Sequence, residues 1–207
     1  MTLRDQLAAA RVLPVVTAED VDATVRLAAV LAQSGMTAIE ITLRTDAALE
    51  AIAAVRSAMP DLLLAAGTVL TPEDVARAGE AGAGLCISPG ISAELLAATA
   101  AAGLPYLPGV ATASEVMLGL SAGVDTFKLF PAVPVGGVAL LRALHGPFPS
   151  VRFCPTGGLG AGNFRDFLAL PNVICCGGSW MAGQDLIHSE RWEDIAALAR
   201  EAMRNDS

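Results

Sequence analysis

Apolar residues recur along this chain in two alternating rhythms. Short β-rich runs stand at 12–16 (VLPVV), 38–43 (AIEITL), 62–69 (LLLAAGTV), 85–89 (LCISP), 106–110 (YLPGV), 126–131 (TFKLFP), 152–157 (RFCPTG) and 173–179 (VICCGGS). Between them lie Ala/Leu-rich stretches, such as 18–35, with apolar positions at helical spacing. Thr71-Pro72-Glu73-Asp74 offers a helix cap, a first-turn proline and early acids, and Ser92-Ala93-Glu94 and Ser114-Glu115 read as similar starts. Ser34-Gly35, Ala81-Gly82, Ala102-Gly103 and Ala122-Gly123 each close a helix with the residue that best tolerates a left-handed backbone. A strand run follows each within a few residues. This punctuation returns every ~20–25 residues, which marks an internal repeat of strand–helix units.

Strands that alternate with helices pair in parallel through right-handed crossovers. Eight units predict an α/β fold, a (β/α)8 barrel occupying residues 1–207 as one domain, with a leading helix over 2–10 and a closing one over 190–205. A doubly wound open sheet is the rival. No GxGxxG follows the first strand, so that rival lacks its usual dinucleotide site.

Composition narrows the partners. Of 207 residues, 54% are hydrophobic and 16% charged, too apolar for a disordered chain. A net charge of -8 and only 4% aromatic residues argue against nucleic acid, which needs basic patches and stacking platforms. The uncharged stretch from Leu95 to Ser114 is long enough to span a bilayer, but Gly103, Pro105, Pro108 and Gly109 interrupt it, so no membrane partner is expected. The opening residues carry Arg4, Asp5 and Arg11 and hold no apolar signal core, which predicts a cytoplasmic protein. Cys86, Cys154, Cys175 and Cys176 all sit in apolar strand runs and read as buried, reduced thiols.

The chain has 12 arginines and one lysine, Lys128, inside the sixth strand run. On a solvated surface arginine replaces lysine at little cost, so the surviving lysine marks a place where a guanidinium fails. Arginine stays protonated, whereas a desolvated lysine can act as a nucleophilic amine. In the second strand run, alternation puts Glu40, Thr42 and Arg44 on one face and Ile39, Ile41 and Leu43 on the other. The polar set therefore points into the barrel. Glu40 and Arg44 would stand ~13 Å apart along the strand, suited to separate tasks. Strands two and six face each other across an eight-stranded barrel, so Glu40 and Lys128 can meet as acid/base and nucleophile. Thr156-Gly157-Gly158 and Gly177-Gly178-Ser179 follow the last two strands, where such barrels often hold phosphate.

These segments together resemble the 2-keto-3-deoxy-6-phosphogluconate (KDPG) and 4-hydroxy-2-oxoglutarate (KHG) aldolases, class I enzymes of the Entner–Doudoroff route. The resemblance rests on EITLRT (40–45), AAGTVL (65–70), Ile87-Ser88-Pro89-Gly90, LPGVATASE (107–115), FKLFPA (127–132), RFCPTGG (152–158) and GGSW (177–180). It implies that Lys128 forms the Schiff base and Glu40 is the acid/base. It further implies that Arg44 and Thr68 hold the substrate carboxylate, that Gly157, Gly158 and Ser179 contact phosphate, and that Thr156 influences stereochemistry. A phosphorylated 2-keto acid, pyruvate and glyceraldehyde 3-phosphate are the implied small-molecule partners, with no metal or cofactor and a homotrimeric assembly. The chain departs from the pattern at Val133-Pro134-Val135, which replaces a more polar stretch, and at Ala65, which replaces a glycine.

Three other readings remain at this point. A metal-dependent aldolase needs ligands that His145 and His188, the chain's two histidines, do not supply at metal-binding spacing. A noncatalytic phosphosugar-binding barrel would keep the glycine pairs but have no use for a buried amine. A phosphate-binding isomerase or synthase rests on fold analogy alone.

Overall fold

The computed structural model describes residues 2–204. Positions 1 and 205–207, the outer ends of the expected domain and of its closing helix, lie outside the described residues. Eight parallel strands close into a barrel. They are β1 (Val12–Thr17), β2 (Ala38–Thr42), β3 (Leu63–Gly67), β4 (Leu85–Ile87), a fifth strand in two pieces, β5 (Tyr106–Leu107) and β6 (Gly109–Val110), then β7 (Thr126–Leu129), β8 (Arg152–Pro155) and β9 (Cys176–Gly178). Pro108, which has no N–H to give the ladder, separates β5 from β6. Hydrogen bonding runs β5-β4-β3-β2-β1-β9 on one side and β6-β7-β8 on the other. Parallel bridges Phe153↔Val173 and Thr156↔Gly177 join β8 to the last strand and complete the ring. A doubly wound sheet would leave two free edges, so the rival fold falls.

Helices α2 (Val21–Gln33), α3 (Ala48–Ala58), α4 (Pro72–Glu80), α5 (Ala93–Ala102), α6 (Ala113–Ser121), α7 (Gly137–His145), α8 (Phe164–Leu168) and α9 (Gln184–His188) follow the strands. The leading α1 (Leu3–Ala10) and closing α10 (Trp192–Met203) flank them. The helix-closing glycines behave as expected: Gly35, Gly82, Gly103 and Gly123 have φ of 95°, 92°, 64° and 80°. Thr71 and Ser92 cap α4 and α5. At α6 the cap is Thr112 rather than Ser114. Thr112 places Glu115 three residues on, so side chain and backbone satisfy each other reciprocally.

Alternation along the strands sorts two cores. Val12, Ile39, Ile41, Leu64, Phe127, Leu129 and Phe153 pack outward against the helices. Leu13, Ala38, Ala65, Leu85, Ile87, Leu107, Cys154 and Cys175 fill the barrel interior, closed below by Leu7 and Ala10 of α1. Arg4 ties α1 down: it donates to Thr126 Oγ1 at 3.0 Å and to the Ser150 carbonyl at 2.9 Å, and pairs with Asp125 at 2.9 Å. Neighbouring Cys175 and Cys176 fall into opposite cores, and all four cysteines are free and buried. A hydrogen bond with Cys154, together with burial, holds the Cys175 thiol well above its ordinary pKa, which makes it neutral packing.

Candidate active site

The observed strands end earlier than their apolar runs, and the site begins where they stop. β2 ends at Thr42, so the inward face holds Glu40 and Thr42 but not Arg44. Arg44 lies instead in the following turn, where its N–H donates to the Thr42 carbonyl at 2.8 Å. The strand alternation expected to carry Arg44 inward does not reach it. Its exposed guanidinium stands at the rim, donating from Nε to Thr42 Oγ1 at 3.0 Å. It borders a recess of about 250 Å³ that includes Asp46, Asp74 and Arg77. β3 ends because Thr68 takes a φ of 58°, a conformation that β-branched residues rarely adopt. Half-buried Thr68 thus interrupts the extended run directly after Gly67, while buried Val69 still donates its N–H to the Ile87 carbonyl at 3.1 Å.

Inside the mouth, Lys128 of β7 is 5% exposed and Glu40 of β2 only 1%. Their Nζ and Oε1 lie 3.0 Å apart across the barrel, though 88 residues separate them in sequence. The amine expected in a dry interior is there, and the carboxylate expected to meet it lies within hydrogen-bonding distance. Glu40 Oε2 is also buried and accepts no hydrogen bond from the described residues, so it retains capacity for a substrate hydroxyl or a water. Nζ also lies 5.2 Å from the centre of the Phe130 ring. Phe130 lies in the turn directly after β7, two residues on from Lys128, a position that strand alternation alone does not assign.

Glycines make this chamber possible. A Cβ on Gly67 would lie 2.2 Å from Glu40 Oε1, and one on Gly177 would lie 2.2 Å from Thr156 Oγ1. One on Gly109, the register partner of Lys128, would strike the Pro89 carbonyl oxygen at 2.2 Å. The Pro89 turn is itself pinned by a Ser88 Oγ–Tyr106 hydroxyl bond of 2.7 Å and by Ser88 donating to the Gly90 carbonyl. None of these close approaches is visible in composition or spacing.

The loops after β7 and β8 are stitched together: Ala132 N–H donates to the Thr156 carbonyl at 2.8 Å and Val133 N–H to the Gly157 carbonyl at 3.0 Å. Gly157 and Gly158 have φ of 101° and 83°, and a Cβ on Gly158 would overlap Val133 at 2.7 Å. Thr156 is 6% exposed beside them. Ser179 stands exposed directly after β9. The structure therefore brings Lys128 into contact with Glu40, sets the Phe130 ring near its Nζ, places Thr156 directly after the neighbouring strand, and leaves Arg44, Thr68 and Ser179 at loop positions around the opening.

His145 and His188 end α7 and α9, and His188 Nε2 lies 3.0 Å from Glu19. Among the described residues no group of three or more His, Cys, Asp or Glu side chains could hold a metal ion. A cavity of about 380 Å³ opens between the loop after β1 and α9, lined by acids, His188 and Arg26. Its arginine pairs with Glu190 at 3.5 Å and lies over the Trp192 ring, and the cavity holds no lysine.

Residues 3–198 match the family described as KDPG and KHG aldolase. The chain belongs to this aldolase family. Among its relatives, the KHG/KDPG aldolase of Escherichia coli is 44% identical over 192 residues, covering 93% of this chain and 90% of that one. The 2-dehydro-3-deoxy-phosphogluconate aldolase of Pseudomonas aeruginosa is 46% identical, covering 94% and 88%. A crystal structure of KDPG aldolase from Legionella pneumophila, with pyruvate captured at low pH as a covalent carbinolamine, covers 98% of both chains at 40% identity and a TM-score of 0.95. The (β/α)8 barrel is thus shared with enzymes of this family over nearly the whole chain.

Proposed function

We propose that this protein is a class I aldolase that cleaves KDPG reversibly to pyruvate and D-glyceraldehyde 3-phosphate, the aldol step of the Entner–Doudoroff route, with KHG as a second substrate. The observation that carries this reading is the buried Lys128–Glu40 pair, 3.0 Å apart inside the barrel mouth. An amine nucleophile touching a carboxylate is the minimum equipment for making and breaking an imine.

In this reading Lys128 passes a proton to Glu40, its neutral Nζ attacks C2 of the keto acid, and the C2 oxygen takes a second proton from that nitrogen to give the carbinolamine. Glu40 returns the proton to the departing hydroxyl, water leaves, and the nitrogen takes the positive charge of an iminium. Glu40 then removes the proton from the C4 hydroxyl. The C3–C4 bond breaks, its electron pair flows to the iminium, and the aldehyde departs. The enamine is protonated at C3, and water releases pyruvate from Lys128. Arg44 at the rim suits the carboxylate, since its planar fork can bind both oxygens, and Thr68 is assigned to the same group. Gly157, Gly158 and Ser179 are assigned to the phosphate, which the exposed backbone of a glycine turn can approach closely. Thr156, between the lysine strand and that turn, is assigned to the facial choice at C4.

Two features support the assembly and compartment. Met117, Leu118 and Leu120 on α6 are 61%, 41% and 37% exposed, an apolar face that a homotrimer would cover. Four free, buried thiols suit a reducing cytoplasm. The test is a coupled assay of pyruvate release from KDPG in the presence of chelator. Robust turnover supports the proposal. Intact KDPG after prolonged incubation with folded protein contradicts it.

A further inference from the structure

We propose that Phe130 is a catalytic residue, its ring face stabilising the positive charge that forms on Lys128 nitrogen when carbinolamine becomes iminium. This rests on the Schiff-base reading above. The ring centre is 5.2 Å from Nζ, within the ~6 Å over which an aromatic face attracts a cation. In the step concerned, the C2–O bond breaks, the hydroxyl leaves as water with the Glu40 proton, and the nitrogen lone pair becomes the C=N bond. Positive charge then resides beside the ring in a place where Lys128 is 5% exposed and bulk water screens little.

Two partners flank that nitrogen, and they differ in kind. Glu40 is charged only while it lacks the proton it shuttles. The ring's quadrupole is constant through the cycle and needs no reorganisation, the property that makes a fixed electrostatic partner effective in catalysis. The protein also holds the ring's backbone firmly. Phe130 N–H donates to the Val110 carbonyl at 3.1 Å, and the preceding Leu129 carbonyl accepts from Thr156 N–H at 2.9 Å. Phe130 is thus bound on one flank to β6 and its neighbour on the other to the loop after β8. An ordinary apolar side chain would fill the same space without the charge preference.

Fluorination separates charge from volume, because each added fluorine withdraws electron density from the ring face with little change in shape. Phe130 would be replaced by 4-fluoro-, 3,5-difluoro- and 3,4,5-trifluorophenylalanine, and by Leu and Tyr. Two quantities are read: kcat/KM for KDPG cleavage, and the fraction of Lys128 trapped by borohydride at subsaturating pyruvate. Both should fall stepwise across the fluorinated series. Phe130→Leu should lose about thirtyfold, the equivalent of ~2 kcal/mol for a desolvated cation–π contact, while Phe130→Tyr stays within about threefold. A flat fluorinated series overturns the proposal even if Phe130→Leu is slow, since the ring then acts by volume alone. Absence of any trapped adduct in the unsubstituted protein would instead defeat the Schiff-base reading itself, so the two failures are distinct.

Discussion

The two ends of the barrel interior are built by one rule and serve opposite purposes. At the floor, Leu7 and Ala10 seal an apolar layer of inward side chains that includes Leu13 and Ala38, all fully buried or nearly so. At the mouth, the same strand alternation presents Glu40, Lys128 and Thr156. Leu13 and Ala38 need only fit their neighbours. Glu40 and Lys128 need each other, because removing either would strand a buried charge. The contrast shows how a packing layer becomes a reaction chamber: exchange a few inward side chains for ionisable ones, and clear the space around them with Gly67, Gly109 and Gly177.

The sharpest way to break this contrast is Lys128→Arg, which keeps the charge and removes the nucleophile. Turnover should fall on the order of 10⁴-fold or more while the fold persists. Substantial residual activity in purified variant would place the chemistry elsewhere. Gly67→Ala attacks the space rather than the charge. Its Cβ would lie 2.2 Å from Glu40 Oε1, so the carboxylate must move and kcat should drop ~10²-fold. A kcat within threefold of the parent would mean that the position of Glu40 does not limit the reaction.

At the floor the signs reverse. Leu7→Ala should cost ~2–5 kcal/mol in urea unfolding and leave kcat/KM unchanged wherever the protein stays folded. A parallel loss of activity would show that floor and mouth are mechanically one unit. The smallest effect concerns the outer core. Burial pushes the Cys86 thiol from 9.0 up to about 11. Between those values the unfolded thiol ionises and the folded one does not, so stability is complete below pH 9 and declines as pH rises toward 11. Cys86→Ala should make that alkaline decline shallower in urea midpoints taken on either side of it. An unchanged slope would assign the decline to other groups.

How much of this was legible beforehand depended on range. Glycines 35, 82, 103 and 123 could be read as helix ends because a left-handed residue is a local requirement. Strand alternation correctly separated Ile39 and Ile41 from Glu40, and the solitary lysine announced itself. What stayed hidden was contextual. The apolar run 62–69 does not reveal that Thr68 takes a left-handed backbone conformation and ends the strand, and the polar face of β2 reads on to Arg44 although the strand has ended at Thr42. Thr112 and Ser114 are both competent caps, and only their spacing to Glu115 separates them. The fit of Gly67 against Glu40 arises where neighbouring strands pack side by side in the closed barrel, and it has no local signature.

The most direct measurement is mass spectrometry of the protein after incubation with pyruvate and borohydride. The account predicts one reduced pyruvyl adduct per chain, mapped to the peptide carrying Lys128, with loss of activity in step with labelling. An unmodified Lys128 peptide from protein that still cleaves KDPG would contradict it.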